Sequence, residues 1–239
     1  MIALSYSRIS DFRQCKLKFR LKYIDKAPNF YDESKKSPHL IRGGNVHFEL
    51  QNYVVKKKAG ENDIPKSSLP EVERTKPLID KFMLMYDLYP ELQIAINEKF
   101  ERVDWYSKEA WFRVIMDLIG FGKHLFIGDY KTGKLHEYSG SLTVLGQLHL
   151  SSLIGMALWP EFEEVNNGYI FVDHKKTNML KLSRSEHFDL LRDRLFEEHA
   201  LINAEENFDE NPNEFCHFCA ADNSQCFKSR KSVKGEFAF

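Results

Sequence analysis

Asp117, Asp129 and Lys131 are the residues whose types and spacing could do chemistry in this 239-residue chain. They fall within residues 111–134, WFRVIMDLIGFGKHLFIGDYKTGK. Asp117 comes late in one β-rich run and Asp129 late in the next, with Gly120, Gly122 and Lys123 marking a tight turn between them. Antiparallel strands joined by so short a turn can bring two carboxylates to neighbouring positions at one end of a sheet. Such a pair repels unless a cation lies between the two, and oxygen ligands of this kind suit Mg2+ or Mn2+. Lys131 follows Asp129 by two residues, so in an extended strand it projects from the same face. An ammonium there can hold an attacking water while the cation offsets charge on a phosphate ester. The plain alternative is an exposed Asp-x-Lys surface pair, worth roughly 0–1 kcal/mol. Against it, Leu125-Phe126-Ile127 reads as a buried strand that ends abruptly in charge, and Gly128 and Gly133 leave room for a bulky ligand.

The four cysteines form a second candidate cluster. Cys15 stands alone near the N-terminus, while Cys216, Cys219 and Cys226 crowd together at the other end. One four-thiolate site is the economical reading, and the chemistry leaves tetrahedral zinc and a [4Fe-4S] cluster both open. Joining the two groups closes a loop of about 200 residues, which restricts the unfolded chain.

The formal net charge of −1 rules out a global basic excess, so any attraction for a polyanion must come from local patches. Residues 8–26 supply one, with Arg8, Arg13, Lys16, Lys18, Arg20, Lys22 and Lys26 against Asp11 and Asp25; Lys228, Arg230, Lys231 and Lys234 supply another. Each could equally be a solvated charged face. The opening MIALSYSR lacks the apolar stretch of a secretory signal, and no window approaches a membrane span. The expectation is a soluble, cytoplasmic protein with no membrane partner, in a compartment where thiols serve as ligands or stay free.

The elements that must position these residues follow from periodicity and punctuation. Ser5 or Ser7 can cap a helix to residue 23, and Gly43-Gly44 reads as a break before a helix over 46–57. Residues 59–70 read as a loop and 71–87 as a helix, followed by a strand with Ile94, Ile96 and Glu98 on one face. Strands over 111–118 and 125–130 precede a helix from Ser141 to residue 158. A hairpin over 168–172 and 179–182 leads to a helix opened by the Ser183/Glu186 capping box and running to residue 204. Residues 207–214 read as a linker. The order predicts an α/β domain with a small mixed, mostly antiparallel sheet flanked by helices.

Asp117 followed by Asp129-Tyr130-Lys131-Thr132-Gly133 resembles the core of the PD-(D/E)XK nuclease superfamily. The resemblance is nearest to the branch of RecB and AddB nuclease domains, the iron–sulfur CRISPR spacer-acquisition nucleases and related phage exonucleases. It implies a restriction-endonuclease-like core, with 1–239 one nuclease domain in which 1–27 and 207–230 form an iron–sulfur clasp. It also implies that Asp117, Asp129 and the Tyr130 carbonyl bind Mg2+ or Mn2+, and that Lys131 serves the attacking water. Gly43-Gly44-Asn45-Val46-His47 is similar to the branch's glycine-then-histidine helix start, so His47 becomes a further metal ligand; alone it would read as a polar residue in a helix's first turn. An imidazole ligand suits Mn2+ better than Mg2+.

Gln147 matches the branch's glutamine on the following helix, whereas Ser151 stands where a tyrosine is usual. Glu98 is either a supporting acid or a solvent-facing residue. The layout of Cys15, Cys216, Cys219 and Cys226 resembles that of the iron–sulfur members, with Lys16 in place of their commoner proline, and implies a structural [4Fe-4S] cluster rather than zinc. DNA is the implied substrate and exonuclease the implied activity, with a helicase or CRISPR-adaptation complex as a possible partner. The alternative is a non-catalytic nucleic-acid-binding protein on the same fold, with a four-cysteine zinc site.

Overall fold

A computed structural model describes residues 2–32, 34, 37–135, 144–222 and 224–226. The chain divides into two compact units, one made of Met1–Lys36 with Phe196–Phe239 and the other of Ser37–Leu195. Among the described residues no helix is long and apolar enough to cross a membrane.

In the larger unit, α3 (Pro38–Lys58) starts at Ser37, whose hydroxyl accepts the Leu40 N–H. It runs straight through Gly43-Gly44, where the sequence predicts a break. Each interior glycine costs a helix about 1 kcal/mol relative to alanine. Burial of Val46, Leu50, Tyr53 and Val54 on one face outweighs that cost. Next, α4 (Pro70–Met83) is shorter than the helix expected over 71–87, because β1 (Asp87–Ile96) already begins at Asp87.

The sheet has six strands: β1, β2 (Arg102–Val103), β3 (Phe112–Phe121), β4 (Leu125–Lys131), β5 (Glu164–Phe171) and β6 (Lys176–Ser183), in the order β2-β1-β3-β4-β5-β6. Every neighbouring pair is antiparallel except β4 with β5. The parallel step needs a crossover, and α5 (Gln147–Leu158) lies on it. The expected helix start at Ser141 lies outside the described residues. The mixed, mostly antiparallel sheet flanked by helices is the architecture that the sequence predicts. Its core joins Val46, Leu50 and Val54 of α3 and Ile79 and Phe82 of α4 to Leu118, Phe126, Tyr130 and Ile170 of the sheet.

Glu98 is not on a strand. It lies in the turn after β1, where Asn97 N–H bonds to the Glu101 carbonyl and Phe100 adopts a φ of 63°, and it is exposed.

The smaller unit begins with α1 (Tyr6–Gln14), capped by the Ser5 hydroxyl. The helix predicted to reach residue 23 is interrupted at Cys15, whose backbone is extended (φ −162°, ψ 114°). A short α2 (Lys16–Phe19) and a π-helical turn (Arg20–Ile24) follow. The break leaves the Gln14 carbonyl free of the helical ladder, and the side-chain amides of Asn211 and Asn213 bond to it, each at 3.0 Å. Phe12 packs edge-on to Phe19, and Phe19 stacks on Phe208. The last helix, α6 (Arg184–Asn203), follows β6; the Ser183 hydroxyl donates to the Glu186 carboxylate at 2.7 Å, a bond between side chains in place of the side-chain-to-backbone pair of a capping box.

Candidate active site and cysteine pocket

The β3–β4 register brings the two acids together. Leu118 pairs with Gly128, so Asp117 and Asp129 occupy the next step, just past the last bonded pair of that ladder. There a side chain replaces the backbone partner: Tyr130 N–H donates to Asp117 Oδ2 at 3.0 Å. On its other edge β4 keeps its parallel pairing with β5, Asp129 opposite Tyr169 and Lys131 opposite Phe171. Asp129 is buried, with 5% of its surface exposed.

His47 reaches this strand end from the middle of α3, not from a first turn. Its Nδ1 lies 3.3 Å from Asp117 Oδ2 and its Nε2 3.0 Å from the Tyr130 carbonyl oxygen. Both ring nitrogens thus face oxygen acceptors, the arrangement of an imidazolium that donates twice. Burial works against that charge, but the bond to Asp117, the charges of Asp117 and Asp129 and the bond to the Tyr130 carbonyl outweigh burial and hold the His47 pKa above its ordinary value.

Lys131 Nζ lies 2.6 Å from Asp129 Oδ2 and donates to Gln147 Oε1 at 2.9 Å. The Gln147 amide donates in turn to Asp129 Oδ1. Gln147 is the first residue of α5, following Gly146, whose N–H bonds to His149 Nδ1 at 3.1 Å. Burial and then the Asp117 charge push the Asp129 carboxyl up, against the opposing pull of Lys131 and His47. Despite the short approach of Lys131, Asp129 Oδ2 is buried with no hydrogen bond of good geometry. Among the described residues no three His, Cys, Asp or Glu side chains are drawn together as a closed metal shell. His47 lies against Asp117 and Lys131 against Asp129 instead.

His47, Asp117, Asp129, Tyr130, Lys131 and Gln147 therefore lie together at this strand end. Glu98 and Ser151 make no bond in this group; Ser151 is buried one turn further along α5. Spacing gave no sign of Asp173 and His174, which bond to Gly133 in the loop leaving β4, or of Arg42, which pairs with Asp173.

With that geometry in place, the comparison with known families is decisive. The profile of the PD-(D/E)XK nuclease superfamily matches residues 3–226, nearly the whole chain. The chain belongs to the PD-(D/E)XK nuclease superfamily. It is thereby a nuclease, and its sheet is consistent with the restriction-endonuclease-like fold. None of the curated proteins matches the chain. Among solved structures it is similar to SSO0001, at 12% identity and a TM-score of 0.46, covering 91% of this chain and 82% of that one. It is also similar to an exonuclease candidate from Eubacterium rectale, at 14% identity and a TM-score of 0.50, covering 91% and 86%. The second likeness supports the fold.

In the smaller unit of this nuclease, Cys15, Cys216, Cys219 and Cys226 all line one pocket, together with Leu17 and Leu21. The Asn211 N–H donates to Cys15 Sγ at 3.4 Å and the Asn213 N–H to Cys216 Sγ at 3.3 Å. The basic run over residues 8–26 is not a free cationic surface. Lys18 and Lys22 both bind Asp11, Arg13 pairs with Glu198, Lys16 with Glu205 and Arg20 with Asp25. The second basic cluster, Lys228 to Lys234, lies outside the described residues.

Proposed function

We propose that this nuclease is a metal-dependent DNA exonuclease whose centre is built from His47, Asp117, Asp129, the Tyr130 carbonyl, Lys131 and Gln147. The observation that carries the reading is a pair of bonded groups where β3 and β4 part: His47 with Asp117 and the Tyr130 backbone, and Lys131 with Asp129 and Gln147. The donor set fits a hard divalent cation: two carboxylates, a carbonyl oxygen and an imidazole, with a buried Asp129 oxygen lacking a hydrogen bond. Mg2+ or Mn2+ at this position supplies positive charge against the developing charge of the phosphodiester. Lys131, braced by Asp129 and Gln147, holds and orients the attacking water. His47, in its neutral form, would offer a ring nitrogen to the cation.

The four cysteines hold a [4Fe-4S] cluster that clasps residues 1–27 to 207–230, so that 1–239 works as one nuclease domain. The shared pocket and the amide donors on Cys15 and Cys216 support this reading. Hydrolysis transfers no electrons, so the role is structural.

The test is digestion of end-labelled linear and circular DNA, single- and double-stranded, with Mg2+ or Mn2+. Stepwise shortening from an end is expected, with circles spared. Asp129→Ala and Lys131→Ala should abolish it while the circular dichroism spectrum stays unchanged. Unchanged degradation by either purified variant would overturn the site. Protein purified without oxygen should be brown and contain iron and sulfide; a colourless protein carrying zinc would overturn the cluster.

A further inference from the structure

Past Lys131 the chain turns at Gly133, whose φ of 99° lies in the left-handed region that favours glycine. The parallel ladder to β5 cannot follow that turn. Its last backbone bond runs from Val172 N–H to the Lys131 carbonyl at 3.1 Å. Side chains then take over: Asp173 Oδ2 accepts the Gly133 N–H at 2.6 Å, and His174 Nε2 lies 2.8 Å from the Gly133 carbonyl oxygen. Three consecutive residues of the β5–β6 turn thus hold residues 131 and 133 of the loop.

The same turn is tied to the helix that carries His47. The Arg42 guanidinium pairs with Asp173 and also with Glu71 of α4, whose carboxylate is buried. Both hydrogen bonds and charge from Asp173, then Glu71, raise the Arg42 pKa further, so this cation is spent on its own protein. One residue on, Gly43 faces Thr132: a Cβ there would meet Thr132 Oγ1 at 3.4 Å. The loop after β4 is therefore held between the β5–β6 turn and α3.

We infer that Asp173, assisted by Arg42 and His174, is a positioning residue that fixes Lys131 and the Tyr130 carbonyl relative to His47. The inference rests on the nuclease centre proposed above. None of the three residues belongs to that centre. They act through Gly133 and through the α3 backbone leading to His47, five residues after Arg42.

The test compares the full chain with Asp173→Ala and Asp173→Asn. Asparagine retains an acceptor for the Gly133 N–H; alanine does not. Three quantities are read: amide hydrogen exchange over residues 131–133, Mn2+ affinity by direct titration, and single-turnover DNA cleavage. Asp173→Ala is expected to speed exchange in that segment, weaken Mn2+ binding about tenfold, and lower the single-turnover cleavage rate at saturating enzyme. Asp173→Asn should recover most of the Mn2+ affinity. Wild-type exchange and Mn2+ affinity in Asp173→Ala would overturn the inference. So would faster exchange spread evenly over the sheet, which marks a merely structural bond. If the unaltered protein binds Mn2+ but cleaves no DNA, the nuclease centre fails as a reading while the Mn2+ and exchange comparisons still decide the role of Asp173. If it binds no Mn2+ either, exchange alone decides it.

Discussion

The Lys131 ammonium lies 2.6 Å from Asp129 Oδ2 and 2.9 Å from Gln147 Oε1, and the Gln147 amide bonds back to Asp129. The three side chains form a closed ring in which Gln147 is both acceptor and donor. Neither Lys131 nor Asp129 can swing without breaking a bond to it. Gln147→Ala should therefore lower single-turnover DNA cleavage by about tenfold or more, with DNA affinity little changed. Cleavage at the unaltered rate would show that Asp129 orders Lys131 by itself.

Glycine at 168 has a steric reason. A Cβ there would come within 2.5 Å of the Asn178 carbonyl oxygen across the β5–β6 pair. That oxygen belongs to the backbone and cannot rotate away. Gly168→Ala should cost roughly 1–3 kcal/mol, seen as a lower urea midpoint with an unchanged slope.

The chemistry was more legible in the sequence than its supports. Asp129 and Lys131 announce themselves because an apolar strand ends in charge, and the short turn after Asp117 fixes the register. The run of α3 through Gly43-Gly44 was not legible, since local propensity argues for a break and only packing of Val46 and Leu50 overrides it. The early start of β1 was hidden by Pro90, which normally argues against a strand. Pro90 pairs with Leu118 where β1 has a strand on one side only, so its missing N–H is tolerated. The break at Cys15 was hidden for another reason: Asn211 and Asn213, which satisfy Gln14, lie almost 200 residues away.

Asp11 should make the smaller unit sensitive to acid. Burial raises its pKa, but hydrogen bonds from Lys18, Lys22 and Tyr23 outweigh burial and hold it below the ordinary carboxylate value. A carboxyl depressed on folding stabilises fully above its unfolded pKa of about 3.9, and that contribution fades as pH falls through the lower folded value. Asp11→Asn should thus cost roughly 1–3 kcal/mol at neutral pH. The gap should narrow as pH falls below about 3.9 and through the lower folded value. Denaturation of both proteins across that range checks it; a gap that persists in acid would mean that Asp11 acts by shape alone.

The two candidate centres should separate by mutation. Cys15→Ser is expected to lose iron and visible colour, whereas Asp129→Ala should retain both while losing Mn2+-dependent cleavage. Iron analysis and absorbance spectra on the two variants suffice. Full iron content in Cys15→Ser would remove Cys15 from the ligand set.

The division of the chain carries a consequence for biosynthesis. Residues 37–195 are contiguous and meet all their sheet partners as they leave the ribosome. The segment before them must wait for Phe208, Asn211 and Asn213, which at common translation rates is about ten to forty seconds. During that interval Phe19 lacks Phe208 and the Cys15 thiol lacks the other three cysteines. A nascent chain stalled before residue 208 would carry a complete sheet and an unprotected thiol, and would be open to oxidation and to chaperones at its N-terminus.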